Sequence, residues 1–301
     1  MRRLARQDPE YPAQLRDVPD APEYLHVRGV LVREDALAVA VVGARRATPY
    51  GTAFAEDLGG ELASRGVTVV SGLARGIDSA AHRGALRAGG RTIAVLGSGV
   101  DVIYPPENRR LAAEIEGHGA LVSQFAPGTP PLAHHFPARN RVIAGLSLGV
   151  VVVEAAEKSG ALITARLAAE LGREVMAVPG RVTAAQSRGA HALIRDGAAL
   201  VRDGQDVIDE LPARWRQCVR PPAAHAAEEP RRGADTAEGV GDAGEERALL
   251  EAVGEEPVTM DDVIERSGLA SGRVAALLVG LELQGRVRQV EGQRFVQVGR
   301  G

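Results

Sequence analysis

The sequence predicts an α/β fold: an extended Rossmann-like, doubly wound and mostly parallel sheet over residues 37–211, joined to a small C-terminal winged-helix domain over residues 245–301. Three observations lead there. Short valine-rich runs alternate with longer segments of helical period, as in a sheet whose strands are linked by crossover helices. The runs are continuously apolar, which suits strands covered on both faces. The C-terminal residues read as three short helices followed by two alternating strands.

Residues 1–36 form an N-terminal extension expected to pack on the core. Strands are predicted at 37–42, 67–70, 92–96, 120–124, 149–154, 174–178 and 198–201, with helices between them that include 51–65, 79–88 and 163–171. Residues 212–244 carry Pro-Pro, alanine, glycine and mixed charge with almost no large apolar side chains, the composition of a flexible linker. Helices are then predicted at 246–253, 259–267 and 271–284, and strands at 287–290 and 294–298 around Glu291-Gly292. Thr259 with Asp262 three residues on matches a capping box, and Val274, Leu277, Leu278 and Leu281 share one helix face. Gly285 stands where a helix C-terminal glycine belongs.

A length of 301 residues favours two domains, and 45% apolar content suffices for a sizeable core. Thirty-six basic against 39 acidic residues leave a formal charge of -3, so any anion site must be local. Lys158 is the sole lysine, which makes the abundance of arginine a compositional habit rather than a functional signal. The single Cys218 excludes an internal disulfide and a multi-cysteine metal site, and fits a reducing compartment. The charged start, Met1 to Glu10, lacks the apolar run of a signal peptide, and nothing approaches the roughly 20 apolar residues of a membrane helix. A soluble cytoplasmic protein without membrane insertion is expected.

Open α/β sheets bind ligands at the carboxyl ends of their strands, where loops meet helix N-termini with unpaired N–H groups. The first strand runs into Gly43-Ala44-Arg45-Arg46-Ala47-Thr48-Pro49-Tyr50-Gly51, in which glycine admits close backbone approach and two guanidiniums can fork onto phosphate oxygens. The second gives Ser71-Gly72-Leu73-Ala74-Arg75-Gly76-Ile77-Asp78, and the third Gly97-Ser98-Gly99. One such turn is weak evidence, since strand-to-helix turns use glycine without binding anything; three on one edge favour a site. Neither of the first two matches the dinucleotide or Walker pattern, so no bound NAD or ATP, and no other cofactor, is expected. Phe136-Pro137-Ala138-Arg139-Asn140-Arg141 follows the fourth strand and Lys158-Ser159-Gly160 the fifth. An aromatic beside several cations offers what single-stranded DNA needs, a plate for a base and donors for the backbone. Phe136 reads equally as core or as stacking plate; for the arginines binding is favoured over a solvated helix face.

Asp78, His82 and Glu154 are the candidates for acid-base chemistry. Asp78 reads more simply as a helix-start cap with His82 one turn on. Glu154, on an edge meant for anions, would repel phosphate unless paired, with Lys158 as a partner in reach. The seven histidines form no ligand-spaced cluster, so no catalytic metal is expected.

In order along the chain, these segments resemble the DprA/Smf (DNA processing) family. The resemblance starts at Tyr11-Pro12 and Pro22-Glu23-Tyr24-Leu25-His26-Val27-Arg28-Gly29, and runs through the Arg45 loop and Ser71 to His82. It continues with Gly97-Ser98-Gly99-Val100-Asp101, Tyr104-Pro105 and Asn108, then Phe136-Pro137 with Arg139-Asn140-Arg141, and Ser159-Gly160 with Thr164-Ala165-Arg166. It implies a single-stranded-DNA-binding protein, not an enzyme, that forms homodimers and assists loading of the RecA recombinase during natural transformation, with single-strand-binding protein as a further candidate partner. It assigns Arg45, Arg46, Phe136, Arg139 and Lys158 as the foremost DNA contacts, with Gly43, Ser71, Gly72 and Gly76 shaping the cradle and Arg75, Asn140, Arg141, Ser159, Gly160, Thr164 and Arg166 beside them.

The sequence departs from the family in three places. Many members carry a helical module before the Tyr-Pro segment, where ten residues stand here, so its functions are expected to be absent or supplied elsewhere. His135 and His191 stand where asparagine is common, so local hydrogen bonds should differ, and His135 could bring pH-sensitive charge near the DNA. Two other readings stay open: a nucleotide or nucleoside-phosphate hydrolase on a related fold, and a transcription regulator whose α/β part senses a ligand while the winged helix reads duplex DNA. Against the second, residues 245–301 hold seven arginines and ten carboxylates, whereas duplex readers need a basic footprint. The winged helix is expected to be a protein-contact or auxiliary DNA module.

Overall fold

The computed structural model describes residues 1–221, 242–254, 257–269, 271–283, 286–290 and 294–297. Contacts divide the chain into two units, Met1–Ala227 and Glu228–Gly301. Most of the stretch read as a linker, with Gly285 and the Glu291-Gly292 turn, lies outside the described residues.

The first unit opens with β1 (Arg2–Ala5), the short helix α1 (Ala13–Arg16) and β2 (Tyr24–Gly29). The alternating unit follows: β3 (Ala38–Val42), α2 (Pro49–Ser64), β4 (Thr68–Ser71), α3 (Ile77–Arg87), β5 (Thr92–Val95), α4 (Arg109–His118) and β6 (Ala120–Ser123). Then come α5 (His135–Leu146), β7 (Gly149–Val152), α6 (Gly160–Glu170), β8 (Glu174–Ala177), α7 (Arg188–Arg195), β9 (Ala199–Leu200), α8 (Gly204–Glu210) and α9 (Ala213–Arg216). All seven strands read from the sequence are present. The sheet is mixed, in the order β1-β2-β6-β5-β4-β3-β7-β8-β9.

From β3 to β9 every pairing is parallel. Strands β3 to β6 are laid outward in one direction and β7 to β9 in the other, so the winding reverses between β3 and β7. Such a reversal leaves a crevice beyond the carboxyl ends of the two strands, because their crossover helices lie on opposite faces. The burial pattern follows. Ala38, Ala40 and Val42 enter one core cluster while Val39 and Val41 enter the other, which explains why β3 is apolar without alternation.

Two segments differ from the sequence reading. The N-terminal extension does more than pack on the core: β2 pairs antiparallel with β6, and β1 with β2, lengthening the sheet. Its signal was the alternation in Tyr24-Leu25-His26-Val27, of which Leu25 and Val27 are fully buried. Residues 212–221, expected to open the linker, fold back on the first unit: α9 brings Trp215 against the core beside Val219, and the Arg220 amide donates to the Arg65 carbonyl at 2.9 Å.

The second unit contains α10 (Asp242–Val253), β10 (Val258–Thr259), α11 (Met260–Ser267), α12 (Ser271–Leu283), β11 (Val287–Val290) and β12 (Arg294–Gln297). The three strands pair in the order β10-β12-β11, giving the winged-helix form. Thr259 and Asp262 make the capping box, with the Asp262 amide donating to Thr259 Oγ1 at 3.3 Å and the Thr259 amide to Asp262 Oδ2 at 3.1 Å. Val274, Leu277, Leu278 and Leu281 line the small core as their spacing predicts.

Candidate nucleic-acid interface

A cleft of about 660 Å³ opens at the reversal point between β3 and β7. Its walls come from the loop after β3 (Gly43, Arg45), the start of α5 (Phe136, Arg139, Asn140) and the start of α6 (Ser159, Gly160, Thr164). A smaller recess of about 40 Å³ adjoins it, shares Arg45, Phe136 and Arg139, and adds Gly72 and Arg75. Ten of the sixteen residues singled out from the sequence thus meet in one depression. Arg46, Ser71, Gly76, Arg141, Lys158 and Arg166 line neither part.

Phe136 is the centre. The residue is half-buried, its ring edge packs over Gly97, and Tyr104 lies 6.1 Å away between ring centroids at a tilt of 51°. The Arg45 guanidinium stands 5.0 Å from its centroid and that of Arg139 5.8 Å. Both cations lie within reach of the ring quadrupole, which favours holding positive charge against an aromatic face. Arg45 is solvent-exposed, whereas Arg139 is 4% exposed.

The burial of Arg139 corrects the expectation of a surface fork. The Phe136-Pro137 segment lies in the first turn of α5, and at about 100° per residue Arg139 and Arg141 leave the helix on roughly opposite sides. Arg139 turns inward, where Nη1 donates to the Val95 carbonyl at 2.8 Å while the buried Nε has no acceptor. Burial pulls its guanidinium down to about 10, against the attraction of Asp78. Arg139 thus stands behind the ring at the floor of the cleft, with Asp78 beside it in the lining.

The loop after β4 works differently from the cradle read into it. Gly72 and Ala74 do point their amides at a carboxylate, but it is the chain's own: Asp78 Oδ2 accepts from them at 3.1 and 3.3 Å. Asp78 is therefore no cap for α3, which starts behind Gly76 without a side-chain cap. Burial pushes the Asp78 carboxyl up, opposed by Arg139 and the two amides. Ser71 is fully buried and donates to the Val41 carbonyl at 2.7 Å, so its hydroxyl fixes the strand pair rather than facing the cleft. Gly72 has no room for a Cβ because the Arg139 guanidinium lies against it, and Gly76, at φ 73, lets the Ala44 carbonyl pass close by. Arg75 pairs with Glu107.

Around the rim, Asn140 Nδ2 donates to the Gly160 carbonyl at 3.4 Å, tying α5 to α6, and Ser159 Oγ caps α6 by accepting from the Ala161 amide at 3.3 Å. Thr164 is 2% exposed, while Arg166, two positions on, faces solvent with Lys158 and Arg46. Glu154 does not pair with Lys158: its carboxylate accepts from the Thr48 amide at 2.9 Å and the Thr48 hydroxyl at 2.5 Å, at the N-terminus of α2. His82 is fully buried, with Nδ1 2.7 Å from Thr92 Oγ1, and burial drives it down to about 3. Each acid-base candidate is thus engaged inside the fold. Among the described residues no group of three or more His, Cys, Asp or Glu could hold a metal.

Sequence reasoning passed over Tyr104 as a site residue, although it lines both parts of the depression and is 44% exposed. Its signal was the Tyr-Pro pair after the third glycine turn. His135 stacks on Phe125 at 4.1 Å outside the cleft lining, its Nδ1 buried without a partner. His191 Nε2 meets the backbone of Gly180.

Residues 2–212 match the family model for DNA recombination-mediator protein A, and residues 221–293 that for the DprA winged helix domain. The chain is 42% identical over 285 residues to Protein Smf of Escherichia coli, covering 94% of this chain and 74% of that one. It is similar to the X-ray structure of DNA processing protein A from Streptococcus pneumoniae, at 46% identity and a TM-score of 0.66, over 70% of this chain and 74% of the other. A second solved relative is DNA processing protein A from Helicobacter pylori, described for its single-stranded-DNA binding mode, at 32% identity and a TM-score of 0.60, over 66% of this chain and 91% of that one.

Proposed function

This chain belongs to the DprA/Smf family of DNA recombination-mediator proteins, and from that premise we propose that it binds single-stranded DNA in the Phe136 cleft and helps load the RecA recombinase on it during DNA uptake. One observation carries the reading: an exposed and a buried guanidinium, Arg45 and Arg139, flank a half-buried aromatic ring at the crevice where the sheet reverses. An unpaired strand offers a base to the ring and a phosphate to the cations, whereas a duplex keeps its bases stacked away. The Helicobacter pylori relative binds single-stranded DNA, and the same ligand is proposed here. The family is not known for catalysis, and with Asp78, His82 and Glu154 engaged inside the fold no observation favours the hydrolase. In the second unit Arg273, on the helix a duplex reader would use, is bonded to Glu245 at 2.6 Å, which favours a protein-contact or auxiliary role for the winged helix.

Fluorescence-anisotropy titration of the full chain with single- and double-stranded oligonucleotides over a salt series tests the reading. The single strand binds more tightly, and Arg45→Ala lowers its affinity about tenfold and reduces the steepness of the salt dependence by about 0.7. Unchanged affinity in Arg45→Ala removes the cleft from the proposal, and turnover of a nucleotide replaces it with the hydrolase. RecA loading is read separately, as faster RecA assembly on DNA precoated with single-strand-binding protein. A homodimer working in the cytoplasm completes the proposal, its stoichiometry measurable by sedimentation equilibrium.

A further inference from the structure

A second cleft, of about 640 Å³, lies on the other side of the same two loops. The loop after β3 gives Arg45 to the first cleft and Thr48 to the second, where the first turn of α2 adds Tyr50; the loop after β7 gives Ser159 to the first and Glu154 to the second. We infer that a polynucleotide held in the Phe136 cleft continues over the Arg45-Arg46 loop into this second cleft and stacks a base on Tyr50. This rests on the single-stranded-DNA reading and extends it to a second nucleotide subsite.

Tyr50 has the form of a plate. It is 55% exposed, yet its ring is backed by Phe54 at 6.2 Å between centroids, and its hydroxyl donates to the Pro179 carbonyl at 3.4 Å across the cleft. Arg181 lines the same cleft, and Val182, the next residue in the chain, is 85% exposed. An aromatic and a branched apolar side chain left in water beside a cation suit a ligand with flat faces and a charged backbone. Arg46, on the connecting loop, is exposed and forms no ion pair among the described residues. The one carboxylate in the lining, Glu154, is held by the Thr48 amide and hydroxyl at the positive end of α2, so it does not repel phosphate as a bare charge would. Each cleft has the volume of a site for about one or two nucleotides, so a longer strand must leave the first, and the loop that carries Arg45 and Arg46 runs between the two.

The test compares oligothymidylates of about two and about twenty nucleotides binding to the full chain by anisotropy. Tyr50→Ala weakens the longer oligomer about tenfold and leaves the shorter one unchanged, Tyr50→Phe keeps both, and Val182→Glu repeats the alanine pattern. Longer-oligomer affinity untouched by both Tyr50→Ala and Val182→Glu overturns the second subsite. So does an equal loss for both lengths, which means Tyr50 acts through the first cleft. Failure of this inference alone leaves short-oligomer binding and its loss in Arg45→Ala intact; a wild-type chain that holds neither oligomer fails at the single-stranded-DNA reading itself.

Discussion

The loops after β3 and β4 look alike in sequence, each a glycine turn carrying arginine between a valine-rich strand and a helix, yet they do opposite things with their charge. The first turns Arg45 onto the Phe136 ring and keeps Arg46 in solvent. The second is closed on itself: Asp78 takes the Gly72 and Ala74 amides, Leu73 is fully buried in left-handed backbone at φ 58, and Arg75 is paired with Glu107. Both loops hold a carboxylate of their own chain, Glu154 at Thr48 and Asp78 at Gly72 and Ala74, and the difference lies in the arginines, which only the first loop leaves to the cleft and to solvent. A like-looking motif can therefore serve as scaffold for its neighbour, as the close pass of Gly76 by the Ala44 carbonyl suggests.

The contrast can be broken most forcefully at Asp78. Asp78→Ala strips the buried Gly72 amide and the part-buried Ala74 amide of their acceptor and removes the carboxyl that attracts Arg139, so chemical denaturation should read a loss of about 3 kcal/mol. A loss below about 1 kcal/mol means that the second loop is not held as described.

A smaller effect is expected from pH at His82, on the helix that follows this loop. Burial lowers its pKa from 6.5 to about 3, so the unfolded chain takes up the proton first. Its contribution to stability is complete above pH 6.5 and is lost as the pH falls toward 3, where both states are protonated. Stability measured across that window should decline, and His82→Gln should flatten the decline; an unchanged slope in the variant assigns it to other groups.

The smallest effect sharpens the comparison most. Arg75→Ala should alter single-strand affinity by less than about twofold, because its guanidinium is already engaged in an exposed ion pair, against about tenfold for Arg45→Ala. Equal losses at the two positions would make both loops part of one seat.

The sequence was legible wherever a local rule governs. Burial on both faces makes a strand uniformly apolar, so all seven parallel strands could be read, as could the Thr259 capping box and the α12 face. The family likewise follows from residues in order, and glycine turns at strand ends mark the reactive edge of the sheet. Partners across the fold left no such mark. That Arg139 is buried against the Val95 carbonyl depends on α5 opening at His135, and that Asp78 serves a loop rather than a cap depends on where Gly72 stands.

The chain by itself therefore determined the elements, their covered faces and the edge at which they present glycine and arginine, because propensity and periodicity act within a few residues. Only the tertiary structure decided which amides and cations remain available to a ligand. That availability is a balance of burial and pairing among side chains far apart in sequence: Glu154 reaches Thr48, and Phe136 gathers Arg45 and Tyr104.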